Sequence, residues 1–175
     1  MRMSRDKSLA RHTALSPKTK PSKELLSFIE TYDEFIPGRT KILDFGAGRG
    51  RHTNALRELG FAVYSYDPYL GSPDVDPYKG TTSIAPTDDA VFDLVFTAFV
   101  LNVVDEADMY GILDLTEQYT ADGGFTAHIV REDLRKLKGG TTVGKGGAIQ
   151  RDIPVSQLTD IGYERIGKVF VKPKT

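Results

Sequence analysis

The chain has 175 residues, of which 39% are apolar and 27% charged, and its formal net charge is -1. This length predicts one domain with a hydrophobic core of its own, which excludes extensive disorder. The sequence has no cysteine and no apolar run of about 18 residues, which excludes disulfides, thiolate zinc sites, a cysteine nucleophile and a membrane-spanning helix. We expect a reducing, cytoplasmic location.

Strands and helices alternate along the chain. Ser22 is the expected N-cap of the first helix, and Pro37-Gly38 ends it. Apolar patterning predicts strands at 41–45, 61–66, 92–98, 125–130 and 163–172, and helices at 23–35, 52–59, 105–119 and 154–161. The segment 68–90 gives only a weak signal for a strand near 82–85, and the glycine-rich segment 131–147 predicts a loop. The alternation predicts an α/β fold with a mostly parallel sheet and helices on both faces.

Charge is distributed unevenly along these elements. Residues 1–23 carry a net charge of +6, residues 24–130 carry -12 and residues 131–151 carry +4. Two prolines interrupt any helix in the first segment, so we expect a basic N-terminal arm over 1–23 and one domain over 24–175. The basic segments indicate either contact with a polyanion or a solvated arm and loop.

A glycine-rich motif follows the first predicted strand. Asp44-x-Gly46-x-Gly48-x-Gly50 lies directly between a strand and a helix. Glycines allow a ligand to approach the backbone closely, and the helix that follows offers unpaired N–H groups. Asp67 ends the next strand, where a carboxylate can bind the ribose diol of an adenosine-containing ligand. Asp44 itself lies in an apolar strand and needs hydrogen bonds there, and capping the glycine turn is the structural alternative for it.

These motifs together resemble a known superfamily. The segments KILDFGAGRG, VYSYDP, FDLVFTAFVLNVV and DGGF, within residues 38–131, resemble the class I S-adenosylmethionine-dependent methyltransferases. The resemblance implies a Rossmann-like fold, methyl transfer and S-adenosylmethionine as the cofactor. A nicotinamide dehydrogenase is the alternative, because its glycine turn also lets a ligand approach the backbone closely. It is disfavoured because Arg51 occupies the position of the third glycine in the dinucleotide pattern G-x-G-x-x-G, and because we expect no second domain for the hydride acceptor.

The resemblance also assigns cofactor contacts, residue by residue. It implies that Gly46, Ala47 and Gly48 lie closest to the methionine part of the cofactor and that Asp44 helps to hold this loop. It places Asp67 on the ribose hydroxyls with Pro68 beside it, and the strand end at 96–98, including Thr97, beneath the methionine. No acid stands near 81–82 to meet the adenine amino group, so backbone groups and a side chain such as Thr82 or Ile84 are expected there.

A narrower resemblance concerns small methyltransferases of bacteria and phages. The segments HTALS in the arm, YDP, VLNV and GKGG followed by IQR are similar to a group of such proteins. Some of them occur beside DNA-modification genes. This resemblance suggests a phage origin. If the basic arm and the late glycine-rich loop form the acceptor side, they favour a nucleic acid, or a nucleotide-containing molecule, as the acceptor.

Three residues are candidates for acceptor chemistry, because ligands of open α/β sheets bind beyond the carboxyl ends of the strands. Asn102 follows the strand predicted at 92–98 and could hydrogen-bond the acceptor or cap a turn. Arg131 follows the strand predicted at 125–130 and could hold a phosphate or carboxylate, or form a salt bridge with a neighbouring acid. His12 could act as a base if the arm folds over the site. His128 is expected to be a core residue, His52 to lie on the surface or near the cofactor, and no residue spacing predicts a metal site.

Two routes of DNA methylation are disfavoured. Thr97-Ala98-Phe99-Val100 is not the Asp/Asn-Pro-Pro-Tyr/Phe motif of amino-directed DNA methyltransferases, and C5-pyrimidine methylation needs a cysteine. Three hypotheses follow: a methyltransferase acting on a nucleic acid, a small-molecule methyltransferase with the arm as a lid, and a cofactor-binding protein without turnover. We expect no membrane partner.

Overall fold

The fold is a six-stranded sheet with helices on both faces. The computed structural model describes residues 20–68, 81–131, 141–143 and 149–175. The helices are α1 (Lys23–Thr31), α2 (Arg51–Glu58), α3 (Glu106–Tyr119) and α4 (Val155–Thr159), with a 3-10 turn at Leu101–Val103. The strands are β1 (Lys41–Phe45), β2 (Ala62–Tyr66), β3 (Phe92–Ala98), β4 (Thr120–Ile129), β5 (Thr141–Val143), β6 (Ile149–Arg151), β7 (Glu164–Ile166) and β8 (Val169–Pro173).

The order of the strands in the main sheet is β2-β1-β3-β4-β8-β7. The first four are parallel, with Leu43 of β1 paired to Tyr64 of β2 and to Val95 of β3. β8 and β7 continue the sheet antiparallel. The four parallel strands therefore end on one side of the sheet, which we call the carboxyl edge, and ligands of such sheets bind there.

Alternating side chains build one hydrophobic cluster on each face of the sheet. Leu43 and Val95 pack with α3 and α4, whereas Ile42 and Leu94 pack with α1 and α2. Each such fully buried side chain contributes roughly 1.5–3 kcal/mol. Asp44 shares the face of Ile42, because side chains two apart on a strand point the same way. Its carboxylate consequently faces α2.

Local capping fixes the two longest helices. The Ser22 hydroxyl accepts the N–H of Leu25 at 3.4 Å at the start of α1, and the Asp105 carboxylate accepts the N–H of Asp108 at 2.8 Å before α3. Caps of this kind are worth about 1 kcal/mol. The expected N-cap at Ser22 is confirmed, although α1 ends at Thr31, four residues before the predicted Phe35.

The expected α/β architecture is confirmed, and the strand at 92–98 has the predicted bounds. The single closing strand predicted at 163–172 is wrong: the segment forms the hairpin β7–β8, which turns at Gly167 with φ 61°. The loop predicted at 131–147 contains β5, which pairs with β6. β4 begins at Thr120, before the predicted turn at 122–124. The weak strand signal near 82–85 corresponds to a single parallel bridge between Tyr66 and Thr82.

Candidate cofactor and acceptor site

The glycine loop leaves β1 at the carboxyl edge in a conformation that other residues rarely adopt. Gly46 has φ 77°, and a Cβ added there would lie 2.5 Å from Cγ2 of Val100, a distance that real Cβ atoms essentially never show. Both the backbone angle and the contact therefore require glycine. The Tyr66 carbonyl, at the end of β2, accepts the N–H groups of Gly46 and Ala47 at 2.7 and 3.0 Å.

Asp67 closes this loop from the side of β2. Its Oδ2 accepts the backbone N–H of Gly48 at 3.0 Å, although the side chain is only 8% exposed. Its own N–H donates to the Thr82 carbonyl at 2.9 Å. The Thr82 hydroxyl accepts the N–H of Ile84 at 3.1 Å, and half-buried Pro68 follows Asp67. The structure thus brings together five of the residues predicted for the cofactor: Gly46, Ala47, Gly48, Asp67 and Thr82.

The Asp44 side chain links the two elements on either side of the glycine loop, β1 and α2. Its Oδ2 accepts the hydroxyl of Thr53, in α2, at 2.6 Å, and its side chain is 1% exposed. Burial is the main cause that raises the pKa of Asp44 to about 7, while the hydrogen bond from Thr53 lowers it and the charge of Asp67 raises it. The carboxyl group joins β1 to α2, the two elements that flank the loop.

Thr97 differs from its expected place beneath the cofactor, because its side chain is enclosed within the sheet. It is 0% exposed, and its hydroxyl lies 2.7 Å from Nδ1 of His128. Burial lowers the pKa of His128 to about 3, so this histidine is neutral. Its Nε2 lies 3.2 Å from the hydroxyl of Tyr163. The expected core role of His128 is confirmed, and only the backbone of Thr97 remains for a contact at the carboxyl edge.

Asn102 also differs from its expected role at the acceptor. Its side chain is 0% exposed, and its Oδ1 accepts the backbone N–H of Arg131 at 2.8 Å. Its Nδ2 donates to the carbonyls of Arg131 and Arg151, at 3.3 and 2.9 Å. Both amide hydrogens are thereby used, so Asn102 fixes the end of β4 against β6. It is a positioning residue for Arg131.

Arg131 lies at the carboxyl edge as predicted, beside two residues that the sequence did not single out. The guanidinium carbons of Arg51 and Arg131 lie 5.7 and 5.9 Å from the centre of the Phe99 ring. Phe99 has φ 61°, an unusual value for a residue with a side chain, and its N–H donates to Ile129 at 2.8 Å. Arg51 was recognisable only as the residue that occupies the third-glycine position, and no sequence signal marked Phe99.

The N-terminal arm enters the described part of the chain beside the glycine loop. The carbonyl of Lys20 accepts from Nη1 of Arg51 at 3.0 Å, and the N–H of Ser22 donates to Nε2 of His52 at 3.1 Å. Burial and the charge of Arg51 lower the pKa of His52 to about 3, so this histidine is neutral and enclosed. His52 lies in the core rather than on the surface. His12, the third acceptor candidate, lies outside the described residues.

Metal sites and membrane spans are absent from the same part of the chain. Between residues 20 and 175, outside the gaps at 69–80, 132–140 and 144–148, no group of three or more His, Asp or Glu side chains could hold a metal ion. Across these same residues, no helix has the length and apolar character needed to cross a membrane.

Comparison with known proteins defines the class. Residues 4–141 match the family model described as "Methyltransferase domain", which covers most of the chain. The chain therefore belongs to the methyltransferase domain family, and the expectation of a methyltransferase enzyme is confirmed. A search of curated proteins gave no match.

Solved structures confirm the fold. The Burkholderia thailandensis 1,6-didemethyltoxoflavin-N1-methyltransferase, solved with 1,6-didemethyltoxoflavin and S-adenosylhomocysteine, is 17% identical with a TM-score of 0.64, covering 87% of this chain and 77% of its own. The glycopeptide N-methyltransferase MtfA, solved with S-adenosylhomocysteine, is 16% identical with a TM-score of 0.60, and the match covers 88% of this chain and 89% of that chain. The PH0226 protein of Pyrococcus horikoshii OT3 is 16% identical with a TM-score of 0.60, and the match covers 92% of this chain and 97% of that chain. The expected Rossmann-like methyltransferase fold is thus confirmed.

Proposed function

We propose that the protein transfers a methyl group from S-adenosylmethionine to a small-molecule acceptor that enters at the carboxyl edge. One observation carries the cofactor assignment: the Asp67 carboxylate and the Gly48 N–H meet where β1 and β2 end. There the glycine loop permits a close approach to the backbone, and a carboxylate stands where a ribose diol would bind. S-adenosylhomocysteine bound to two neighbours of this fold supports the same assignment.

The residues of the site have separate tasks in this function. The loop from Gly46 to Gly48 would hold the methionine part of the cofactor, and Asp67 the ribose, with Pro68 and Thr82 beside it. Asp44 keeps the loop between β1 and α2. When bound, S-adenosylmethionine supplies an electrophilic methyl group, so the remaining task of the protein is to position the nucleophile.

Proton transfer places a further condition on the acceptor. His52 and His128 are buried and neutral, with pKa values of about 3, and both rings already have hydrogen-bond partners. Neither can act as a base at the carboxyl edge near neutral pH. This supports an acceptor whose nucleophile needs no enzymatic base, such as a ring nitrogen with a free lone pair. His12 stays the predicted base for an acceptor that requires one.

The solved neighbours of this fold support a small acceptor. The chain passes from Lys20 to Ser22 against the first turn of α2. The hypothesis that the arm acts as a lid concerns residues 1–19, which lie outside the described part of the chain. The neighbours with named acceptors are a 1,6-didemethyltoxoflavin and a glycopeptide methyltransferase. A nucleic-acid acceptor, favoured by the basic arm, is the alternative that the experiment must separate.

Methyl-labelled S-adenosylmethionine incubated with the protein and a bacterial extract tests the proposal. We expect label in the extracted small molecules with the wild type and with Tyr110→Phe, a change at an exposed side chain on α3. Asp67→Ala should give none. Label in a nuclease-sensitive fraction would instead establish the nucleic-acid acceptor. Cofactor binding by calorimetry with no label in any fraction would favour a binding protein without turnover.

A further inference from the structure

Two arginines converge on one aromatic ring at the carboxyl edge. Arg51 begins the helix after the glycine loop and Arg131 follows β4, so 80 positions of sequence separate them. Their guanidinium carbons nevertheless lie 5.7 and 5.9 Å from the centre of the Phe99 ring. We call these three residues the arginine pair and its ring.

Within the described residues, neither arginine of this pair forms an ion pair, because none of the Asp or Glu side chains there lies within ion-pair distance of either guanidinium. Burial lowers the pKa of Arg51, Asp44 raises it, and the charge of Arg131 lowers it, so the two cations repel each other. An anion bound to either guanidinium would relieve this repulsion, and it could accept bidentate hydrogen bonds from the planar fork.

The backbone holds the ring in place at some cost. Phe99 has φ 61°, and a left-handed backbone is unfavourable for a residue with a side chain. Its N–H bond to Ile129 and the Asn102 bonds to Arg131 hold both the ring and the second arginine. Strain kept in place by such contacts at a ligand-binding edge is typical of a functional position.

We propose that Arg51, Phe99 and Arg131 bind an anionic group, a carboxylate or a phosphate, of the methyl acceptor. This inference rests on the proposed function and names the acceptor class: a small molecule that carries an anion near its methylated atom. Strand order supports this source of the anion. The cofactor contacts follow β1 and β2, whereas Phe99 and Arg131 follow β3 and β4, on the other side of the glycine loop. The carboxylate of the cofactor's methionine part is the competing source.

Three small probes test the inference: inorganic phosphate, benzoate, and benzamide as the neutral counterpart of benzoate. Each is titrated by NMR into the free protein and into its complex with S-adenosylhomocysteine. We expect benzoate and phosphate to bind both forms with millimolar dissociation constants, as ligands of this size do, and benzamide to bind neither. Arg131→Gln and Arg51→Gln should each weaken benzoate binding by at least about tenfold, and Arg131→Lys by less, because lysine keeps the charge but lacks the fork.

The affinity for S-adenosylhomocysteine separates the two sources of the anion. We expect calorimetry to give equal affinities for wild type and Arg131→Gln. A tenfold loss in the variant, with affinity for 5′-methylthioadenosine unchanged, would assign the pair to the cofactor carboxylate and overturn the inference. Equal binding of benzoate and benzamide would also overturn it. Failure of the wild type to bind S-adenosylhomocysteine would contradict the proposed function, while the titration of the free protein would still decide the anion site.

Discussion

Gly48 donates its backbone N–H to Oδ2 of Asp67 at 3.0 Å, across 19 positions of sequence. This hydrogen bond joins the loop after β1 to the end of β2 and holds the carboxylate at the carboxyl edge. The hydrogen bond from Gly48 thus fixes the orientation of the Asp67 side chain at the junction of the two strands. The backbone carbonyl of Tyr66 stabilises the same junction, because it accepts the N–H groups of Gly46 and Ala47 in the glycine loop.

We expect Asp67→Asn to lower the affinity for S-adenosylhomocysteine by at least about tenfold, because hydrogen bonds to a charged group contribute about 1.5–3 kcal/mol. Calorimetry measures this affinity. Asp122→Asn is the matched control, since Asp122 is exposed at the opposite edge of the sheet. Unchanged affinity in Asp67→Asn would remove Asp67 from the cofactor site.

Gly46→Ala and Gly38→Ala form a matched pair that separates strain from collision. Both positions have nearly the same φ, 77° and 78°, but the new Cβ meets Val100 only at position 46. We expect Gly38→Ala to lower the free energy of unfolding by about 1 kcal/mol through backbone strain. Gly46→Ala should lower it by about 1–3 kcal/mol more, because the packed neighbour must move.

Urea denaturation measures both free energies. The difference between the two alanine variants should shrink in a Val100→Ala background, where the colliding methyl group is absent. If the two variants were equally stable in the wild-type background, the close contact between Gly46 and Val100 would be wrong.

The pH dependence of stability should reveal the buried carboxyl group of Asp44. Its pKa is about 7 in the folded protein, against an ordinary value of 3.8. Because the folded state keeps this proton while the unfolded state loses it, Asp44 favours folding fully below about pH 4, and this contribution is lost as the pH rises to about 7. Each pH unit within that window costs about 1.4 kcal/mol at most.

Asp44→Asn should remove this contribution. The stability of the wild type relative to Asp44→Asn is therefore expected to fall between pH 5 and pH 7, as measured by urea denaturation, and to stay level above pH 8. The comparison with the variant matters because His52 and His128 act in the opposite direction. Their pKa values of about 3 make both proteins less stable as the pH falls below about 6.5. A constant difference across the range would contradict the raised pKa of Asp44.

Local patterns sufficed to predict most of the fold and the position of the glycine loop. The strand at 92–98 is a continuous apolar run, and the spacing of Gly46, Gly48 and Asp67 relative to two strands marks the carboxyl edge directly. The apolar pattern does not separate β7 from β8, because a glycine between two short apolar runs is compatible either with one strand or with a turn. The φ of Gly167, 61°, shows that this residue forms the turn of the hairpin.

The acceptor side depends on contacts between distant segments, which no local pattern records. Asn102 was predicted either to hydrogen-bond the acceptor or to cap a turn, and the position of β6 turns its amide toward two backbone carbonyls. Arg51 and Phe99 became candidates only when the sheet order placed the ends of β3 and β4 beside the glycine loop. The pairing of Thr97 with His128 likewise follows from the register of β3 against β4.

Tyr163→Phe tests a buried hydrogen-bond chain that runs from Thr97 to the surface. The Tyr163 hydroxyl donates to Oε1 of Glu117 at 2.9 Å, so Nε2 of His128 must donate to the Tyr163 oxygen and Nδ1 must accept from Thr97. Removing the hydroxyl leaves the N–H of a fully buried histidine without an acceptor. We expect the free energy of unfolding to fall by about 1–3 kcal/mol, measured in urea.

Tyr110→Phe is the control, and it should change the free energy of unfolding little. The affinity for S-adenosylhomocysteine should be unaffected in both variants. Equal stability of the two variants would contradict the hydrogen bond between His128 and Tyr163.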